Sequence, residues 1–228
     1  RAIVVNSPHN PTGKVFTRAE LKLVADLCRE HDLIAFTDDI YQHLVYEGEH
    51  IPLATLPEMA QRTVSIDSMS KTYSVTGWRI GWVIASPELT AGVRRVHDFL
   101  TVGAAAPLQH AAVAGLTMAD AYYDALLADY RERRDLLLAA LAAAGFRVHR
   151  PAGAYYAMTD IRDLTGEDDV TFARRLIADP GVAAVPGSSF FSRPELGRTK
   201  LRFAFPKRIE TLRAAADRLA VLAAKTHA

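Results

Sequence analysis

The stretch SMSKTYSVTGWRIGW, residues 68–82, places Lys71 among Ser68, Ser70 and Thr72. Arginine far outnumbers lysine in this chain, and the remaining lysines (Lys14, Lys22, Lys200, Lys207, Lys225) lie near predicted helices or turns. Only Lys71 is set among small hydroxyls and glycines. That setting argues for an amine that takes part in chemistry, since a desolvated or cation-flanked lysine becomes a usable nucleophile and base. A second unusual cation is Arg202, in mid-strand between Leu201 and Phe203. A buried guanidinium is costly unless paired, so Arg202 requires a partner.

The elements around these residues set where they meet. RAIVVN (1–6), DLIAFTDD (32–39), TVSIDS (63–68) and RIGWVIAS (79–86) are apolar, β-branched runs that predict buried strands. SPHNPTG (7–13) is dense in turn formers. Thr17-x-x-Glu20 is a capping box ahead of the periodicity Leu21, Val24, Ala25, Cys28, which predicts a helix. This rhythm predicts an α/β fold with a mostly parallel sheet. Ligands in such sheets bind beyond the carboxyl ends of the strands. Three of those ends carry polar groups: Asn6 followed by His9 and Asn10, Asp38 followed by Tyr41, and Ser68 followed by Ser70 and Lys71. Helical patterns fill 87–144 up to a capping Gly145. Short strands (FRVHR, AYYAMTD, VAAVP, KLRFAF) then alternate with helices at 170–178 and after Ile209, predicting a smaller α+β domain. The expected division is 1–128, part of a large domain, and 129–228, a small C-terminal domain.

Bulk properties exclude several classes. The chain has 228 residues, half of them hydrophobic and 23% charged, an ordinary globular composition. A formal net charge of +1 favours neither nucleic acid nor an anionic membrane. The cluster Arg131, Arg133, Arg134, interleaved with Glu132 and Asp135, reads as a solvated helix face. One cysteine, Cys28, excludes an internal disulfide and fits a reducing, cytoplasmic compartment. The apolar stretch at 102–118 is too interrupted to span a bilayer. The histidines show no metal-site spacing, His9 receives no role, and PTGK lacks the remaining residues of a P-loop.

SPHNPTGKVF, TDDIYQHLVYEG, SMSKTYSVTGWRIGW and KLRFAFPK, in this order, resemble the motifs of class I/II pyridoxal-phosphate aminotransferases of fold type I. The nearest likeness is to the kynurenine and glutamine–phenylpyruvate transaminase branch, with N-succinyldiaminopimelate aminotransferase close by. The resemblance runs along the whole chain and is most specific around Lys71 and Arg202. It implies that the chain corresponds to the C-terminal three-fifths or so of a family member. It also implies a homodimer with shared active sites.

The resemblance implies a role for each matching residue. Lys71 is the Schiff-base lysine, which holds pyridoxal phosphate and carries a proton between substrate and cofactor carbons. Asp38 keeps the ring nitrogen protonated, so that the ring acts as an electron sink; Asp39, where relatives often carry glutamate, is the less apt partner. Tyr41 and Asn10 donate to the ring oxygen. Ser68, Ser70 and Arg79 clamp the phosphate, for which a guanidinium fork is well suited. Arg202 binds the substrate carboxylate bidentately, with Asn10 beside it. The implied reaction is ping-pong transamination between an L-amino acid and a 2-oxo acid.

Three other readings compete. Ser-x-x-Lys is also the nucleophile motif of penicillin-recognising acyl enzymes, but Lys71-Thr72 is followed by Tyr73, and no Ser-x-Asn or Lys-Thr-Gly accompanies it. A β-lyase on the same fold uses the same lysine, aspartate and arginine. An incomplete chain, inactive by itself, is the third: the portion that relatives add supplies a backbone phosphate loop, a ring stacked on the cofactor and much of the substrate pocket.

Overall fold

The computed structural model describes residues 1–226. The chain divides into two compact units, one formed by Arg1–His9 with Lys14–Leu126, the other by Asn10–Gly13 with the chain from Leu127 onward.

The first unit is built on a four-stranded sheet, β1 (Ala2–Asn6), β2 (Ile34–Asp38), β3 (Thr63–Ser68) and β4 (Gly81–Ile84), in that spatial order. β1, β2 and β3 run parallel and β4 returns antiparallel. Helix α1 (Arg18–Glu30) joins β1 to β2 and starts at the predicted capping box, with Thr17 and Glu20 satisfying each other's backbone N–H. Its apolar stripe, Leu21, Val24, Ala25 and Cys28, packs with Val5, Ala35, Ile51, Leu53 and Met59 in one core. That core covers one face of the sheet. The opposite face carries Val4, Ile66 and Val83 at 74, 37 and 40% exposure. α1 and the 51–59 segment cover the face that carries Val5 and Ala35, while Val64 on the other face is buried as well.

Three helices follow, α2 (Pro87–Leu100), α3 (Ala106–Leu116) and α4 (Asp120–Ala143). Ser86 caps α2, its hydroxyl accepting from Leu89 N at 3.4 Å, with Pro87 at the first helical position. α4 begins in the first unit and ends in the second. It stops at Gly145 (φ +90°), where Phe146 N bonds to Leu141 O at 3.0 Å, a glycine-terminated helix end.

The second unit holds an antiparallel sheet, β5 (Arg147–His149), β6 (Tyr156–Asp160), β8 (Lys200–Ala204) and β7 (Val185–Pro186), in that order. Helices α5 (Asp169–Ala178) and α6 (Ile209–Thr226) complete it. Every residue of β6 is buried. Phe146 contacts Phe172 and Phe203 edge-on or tilted, with ring centroids 6.1 and 5.4 Å apart.

Arg134 departs from the expectation of a solvated basic face. It is 2% exposed, and donates to Asp135 Oδ1 at 2.8 Å and to Pro151 O at 3.3 Å. The carbonyl and the carboxylate compensate its desolvation. Arg134 thus holds the 151–153 segment against which the 10–13 turn packs. Gly13 (φ +70°) accepts from Gly153 N at 2.8 Å, and a Cβ on Gly13 would fall 2.2 Å from Pro151 Cβ. Gly13→Ala meets both a left-handed backbone and a clash. It is expected to destabilise the full-length protein by about 3 kcal/mol or more, seen as a lowered thermal midpoint; an unchanged midpoint contradicts this packing.

Candidate active site

Lys71 lies in the connection from β3 to β4, and the antiparallel pairing of those strands closes it. Ser68 faces Gly81 across the ladder. A Cβ on Gly81 would fall 2.8 Å from Asp67 O, so the approach of the two strands there requires glycine. Beyond the ladder, Met69 N bonds to Ile80 O at 3.0 Å, and Ser70 N bonds to Ser68 Oγ at 3.1 Å. Thr76 Oγ1 donates to Ser70 O at 2.9 Å. Met69 and Ile80 are buried with Ala112, packed by Tyr73, Val75 and Leu108. Lys71 itself is half-buried.

Arg79 lies outside β4, correcting the expectation that the strand begins there. It terminates a 3-10 turn (Thr76–Trp78) in the left-handed conformation, φ +57°, and its Nη1 donates to Thr76 O at 3.0 Å. A non-glycine residue in that region is strained, and such strain concentrates at functional sites. The reversal returns the guanidinium to the cavity that Lys71 faces. Ser68, Ser70, Lys71 and Arg79 line one cavity of about 720 Å³, within the usual range for small-molecule sites.

The other expected residues fall into two places. Asp38 ends β2 beside Ile66, which lines the cavity, and its Oδ1 accepts from Ile40 N at 3.4 Å. Tyr41 follows in the next turn, 3% exposed. Neither lines the cavity itself, although Ile40 between them does. Asn10 and Arg202 belong to the second unit and meet there, Arg202 Nη1 donating to Asn10 Oδ1 at 2.8 Å. The Arg202 guanidinium carbon lies 4.2 Å from the Tyr156 ring centroid and 4.6 Å from that of Phe190, two cation–π contacts. Its Nε is buried with no hydrogen-bond partner among the described residues. Cation–π contact does not satisfy that N–H, and an anionic ligand would.

The donor sets fit pyridoxal phosphate and an amino-acid carboxylate. Hydroxyls and a guanidinium surround the amine in one unit, and an arginine with an orphaned N–H lies in the other.

A buried acidic network adjoins the site and reaches it through Asp67, a cavity-lining residue that motif reasoning missed. Asp39 and Asp67 are 7 and 6% exposed. Thr37 Oγ1 donates to Asp39 Oδ2 at 2.6 Å, and Gln42 donates to Asp67. His50 Nε2 lies 3.6 Å from Asp39 Oδ1. Desolvation raises both carboxyls to about 6, against the pull of their hydrogen bonds, and the neighbouring carboxylates add to the rise. Burial also lowers His43 and His50, which favours neutral imidazoles. The signal was present in the strand alternation: Thr37, Asp39 and Asp67 sit on the face that also carries Val5 and Ala35.

A doubly layered α/β unit with an amine beyond a parallel strand, joined to an antiparallel α+β unit, defines fold type I of the pyridoxal-phosphate-dependent transferases, as comparison with known proteins bears out. Residues 1–219 match the sequence family described as aminotransferase class I and II, and the chain belongs to that family. The probable N-succinyldiaminopimelate aminotransferase of Mycobacterium tuberculosis is 41% identical over 233 residues, covering 98% of this chain and 58% of that protein. Kynurenine–oxoglutarate transaminase 1 of Homo sapiens is 35% identical over 240 residues, 96% of this chain and 57% of its own length. A solved structure of N-succinyldiaminopimelate aminotransferase from Mycobacterium tuberculosis superposes with a TM-score of 0.93 at 42% identity, over 97% of this chain and 58% of that one. The chain thus spans under three-fifths of the length of the relatives it matches. Among the described residues, no helix is long and apolar enough to cross a membrane, and no His/Cys/Asp/Glu group has the arrangement to hold a metal ion.

The raised carboxyls set a pH dependence. Protonated Asp67 is compatible with burial, so its destabilising charge appears as pH rises from the unfolded value, near 3.8, through about 6. Asp67→Asn in the full-length protein is expected to raise stability by about 2 kcal/mol at pH 8, with little gain at pH 4.5. Thermal midpoints at the two pH values check this; a gain equal at both rules out the buried-charge explanation.

Proposed function

We propose that the whole protein catalyses transamination between an L-amino acid and a 2-oxo acid by a ping-pong mechanism, with pyridoxal phosphate as cofactor. The observation that carries this is the single cavity shared by Lys71, Ser68, Ser70 and Arg79. Bound there, pyridoxal phosphate supplies an aldehyde that condenses with amines and a protonated ring that accepts electrons.

In this reading Lys71 Nζ is the amine that would hold the cofactor's aldehyde and, when free, would serve as the base for the substrate's α-proton. The Ser68 and Ser70 hydroxyls and the Arg79 fork hold the phosphate dianion. Asp38 holds the proton of the ring nitrogen, a charge-assisted contact worth roughly 1.5–3 kcal/mol. Tyr41 and Asn10 donate to the ring oxygen. Arg202 grips the substrate carboxylate while Asn10 fixes its orientation, as the existing 2.8 Å bond between them supports. The relatives named above are aminotransferases, which supports transfer over β-elimination. We further propose a homodimer with shared sites, located in the cytoplasm, the latter supported by a single buried cysteine. For these 228 residues alone we propose weak cofactor binding and little turnover.

Two substitutions test the assignment in the full-length protein. Lys71→Ala is expected to keep the thermal midpoint, lose about 10³-fold or more in turnover, and lose the pyridoxyl label that borohydride fixes on the wild type. A label that persists on another lysine refutes the role of Lys71. Arg202→Lys is expected to raise KM for the amino acid about 10- to 100-fold, because an ammonium cannot reproduce a bidentate grip. An unchanged KM removes Arg202 from the carboxylate site.

A further inference from the structure

The loop that carries Lys71 has bonds of its own, among them Thr76 Oγ1 to Ser70 O and Trp78 N to Val75 O, each at 2.9 Å. Within it, Tyr73 N reaches Met69 O and Ser74 N reaches Lys71 O, each at 3.3 Å. Ser74 is itself in the left-handed region, φ +56°. Two neighbouring side chains on the first turn of α4 add bonds next to Lys71. Tyr122 donates its hydroxyl to the carbonyl of Thr72 at 2.7 Å, the residue directly after Lys71, and Thr72 is 2% exposed. The hydroxyls of Tyr73 and Tyr123 share a second bond at 2.7 Å. The rings interlock: Tyr73 stacks on Tyr122 at 5.7 Å and 10°, and Tyr122 meets Tyr123 edge-on at 5.4 Å. His43 closes the cluster against Tyr123 at 4.5 Å.

On the other side of the loop, α3 comes close enough that a Cβ on Gly115 would fall 2.4 Å from Met69 Cε and 3.4 Å from the Tyr73 ring. The chain is therefore gripped just before Lys71, at Met69, and just after it, at Thr72 and Tyr73. Burial raises the Tyr73 and Tyr122 phenols, which keeps both hydroxyls protonated and Tyr122 a donor to Thr72 O.

We propose that Tyr122 and Tyr123 are positioning residues for Lys71: they fix the backbone of the reactive lysine through Thr72 and Tyr73, and so hold its amine in register with the atoms between which it moves a proton. This rests on the reading of Lys71 as the cofactor-bearing amine. Proton transfer through a single amine is sensitive to placement, a 1 Å error costing on the order of 10²-fold. The internal backbone bonds that bracket Lys71, Tyr73 N to Met69 O and Ser74 N to Lys71 O, are long at 3.3 Å, whereas the bond from Tyr122 to Thr72 O is 2.7 Å. The helix that provides it continues into the second unit, where Arg202 lies.

The test uses the full-length protein loaded with pyridoxal phosphate. Borohydride reduction and peptide mapping first locate the label in wild type, Tyr122→Phe and Tyr123→Phe. Hydrogen–deuterium exchange and steady-state kinetics follow. With the label on Lys71, Tyr122→Phe is expected to exchange about tenfold faster over residues 69–76, as loss of one buried hydrogen bond implies. Exchange in β3 stays unchanged, and kcat falls about tenfold with KM within about twofold. Tyr123→Phe moves in the same direction by about threefold, and decides the matter if Tyr122→Phe does not fold. Unchanged exchange over 69–76, faster exchange spread equally through β3, or an unchanged kcat despite a loosened loop overturns the proposal. A label found away from Lys71 instead overturns the function proposed above, so the two failures are distinguishable.

Discussion

The contact on which this molecule depends is the approach of Gly81 to Ser68 at the end of a strand pair. The first three strands are parallel, and each leaves its polar residues at the same edge of the sheet. Parallel strands alone would carry the chain away from that edge into a crossover. By returning antiparallel, β4 brings the chain back within a short span, so that the amine of Lys71 and the guanidinium of Arg79 face one cavity. Glycine at position 81 permits the backbone proximity, and the left-handed Arg79 turns the chain into the ladder. Any side chain at 81 would separate the strands where the Ser68 and Ser70 hydroxyls emerge.

Two layers of polar groups then meet at that edge with opposite character. Above it are cations and hydroxyls with room for an anion. Below it, Asp39 is buried among hydrogen-bond donors and neutral imidazoles, and Asp67, equally buried, reaches the wall of the cavity. The lower layer orders the strand ends: Thr37 bridges Asp39 and Ser65, linking adjacent strands at 2.6 and 3.2 Å. The upper layer takes its order from neighbouring helices instead, through Gly115 of α3 and the tyrosines of α4. The segment around Lys71 is irregular in backbone yet held by both α3 and α4.

Much of this was legible in the residues themselves. The capping box at Thr17, the α1 stripe, the glycine end of α4 and the order of strands all follow from local chemistry, and local chemistry is what a single chain displays. Lys71 stood out because hydroxyls are poor company for a surface lysine. What was not legible depends on distant partners. Arg134 resembles any solvated helical arginine until the Pro151 carbonyl is placed beside it. The strand-like run at 79–80 hides a left-handed turn, because arginine carries no signal for that conformation. Val4 has the composition of a core residue, and only tertiary packing shows which face of its strand is covered. Tyr122 and Thr72 are fifty positions apart, and no periodicity links them.

The setting of Arg202 carries a last consequence, for shape. All N–H bonds of a guanidinium lie in its own plane. Tyr156 and Phe190 rest against the guanidinium carbon, and Asn10 already takes one terminal nitrogen. What remains is an edge, so an incoming anion must arrive side-on. The ring contacts and the Asn10 bond leave the buried Nε as the part of the guanidinium without a hydrogen-bond partner among the described residues.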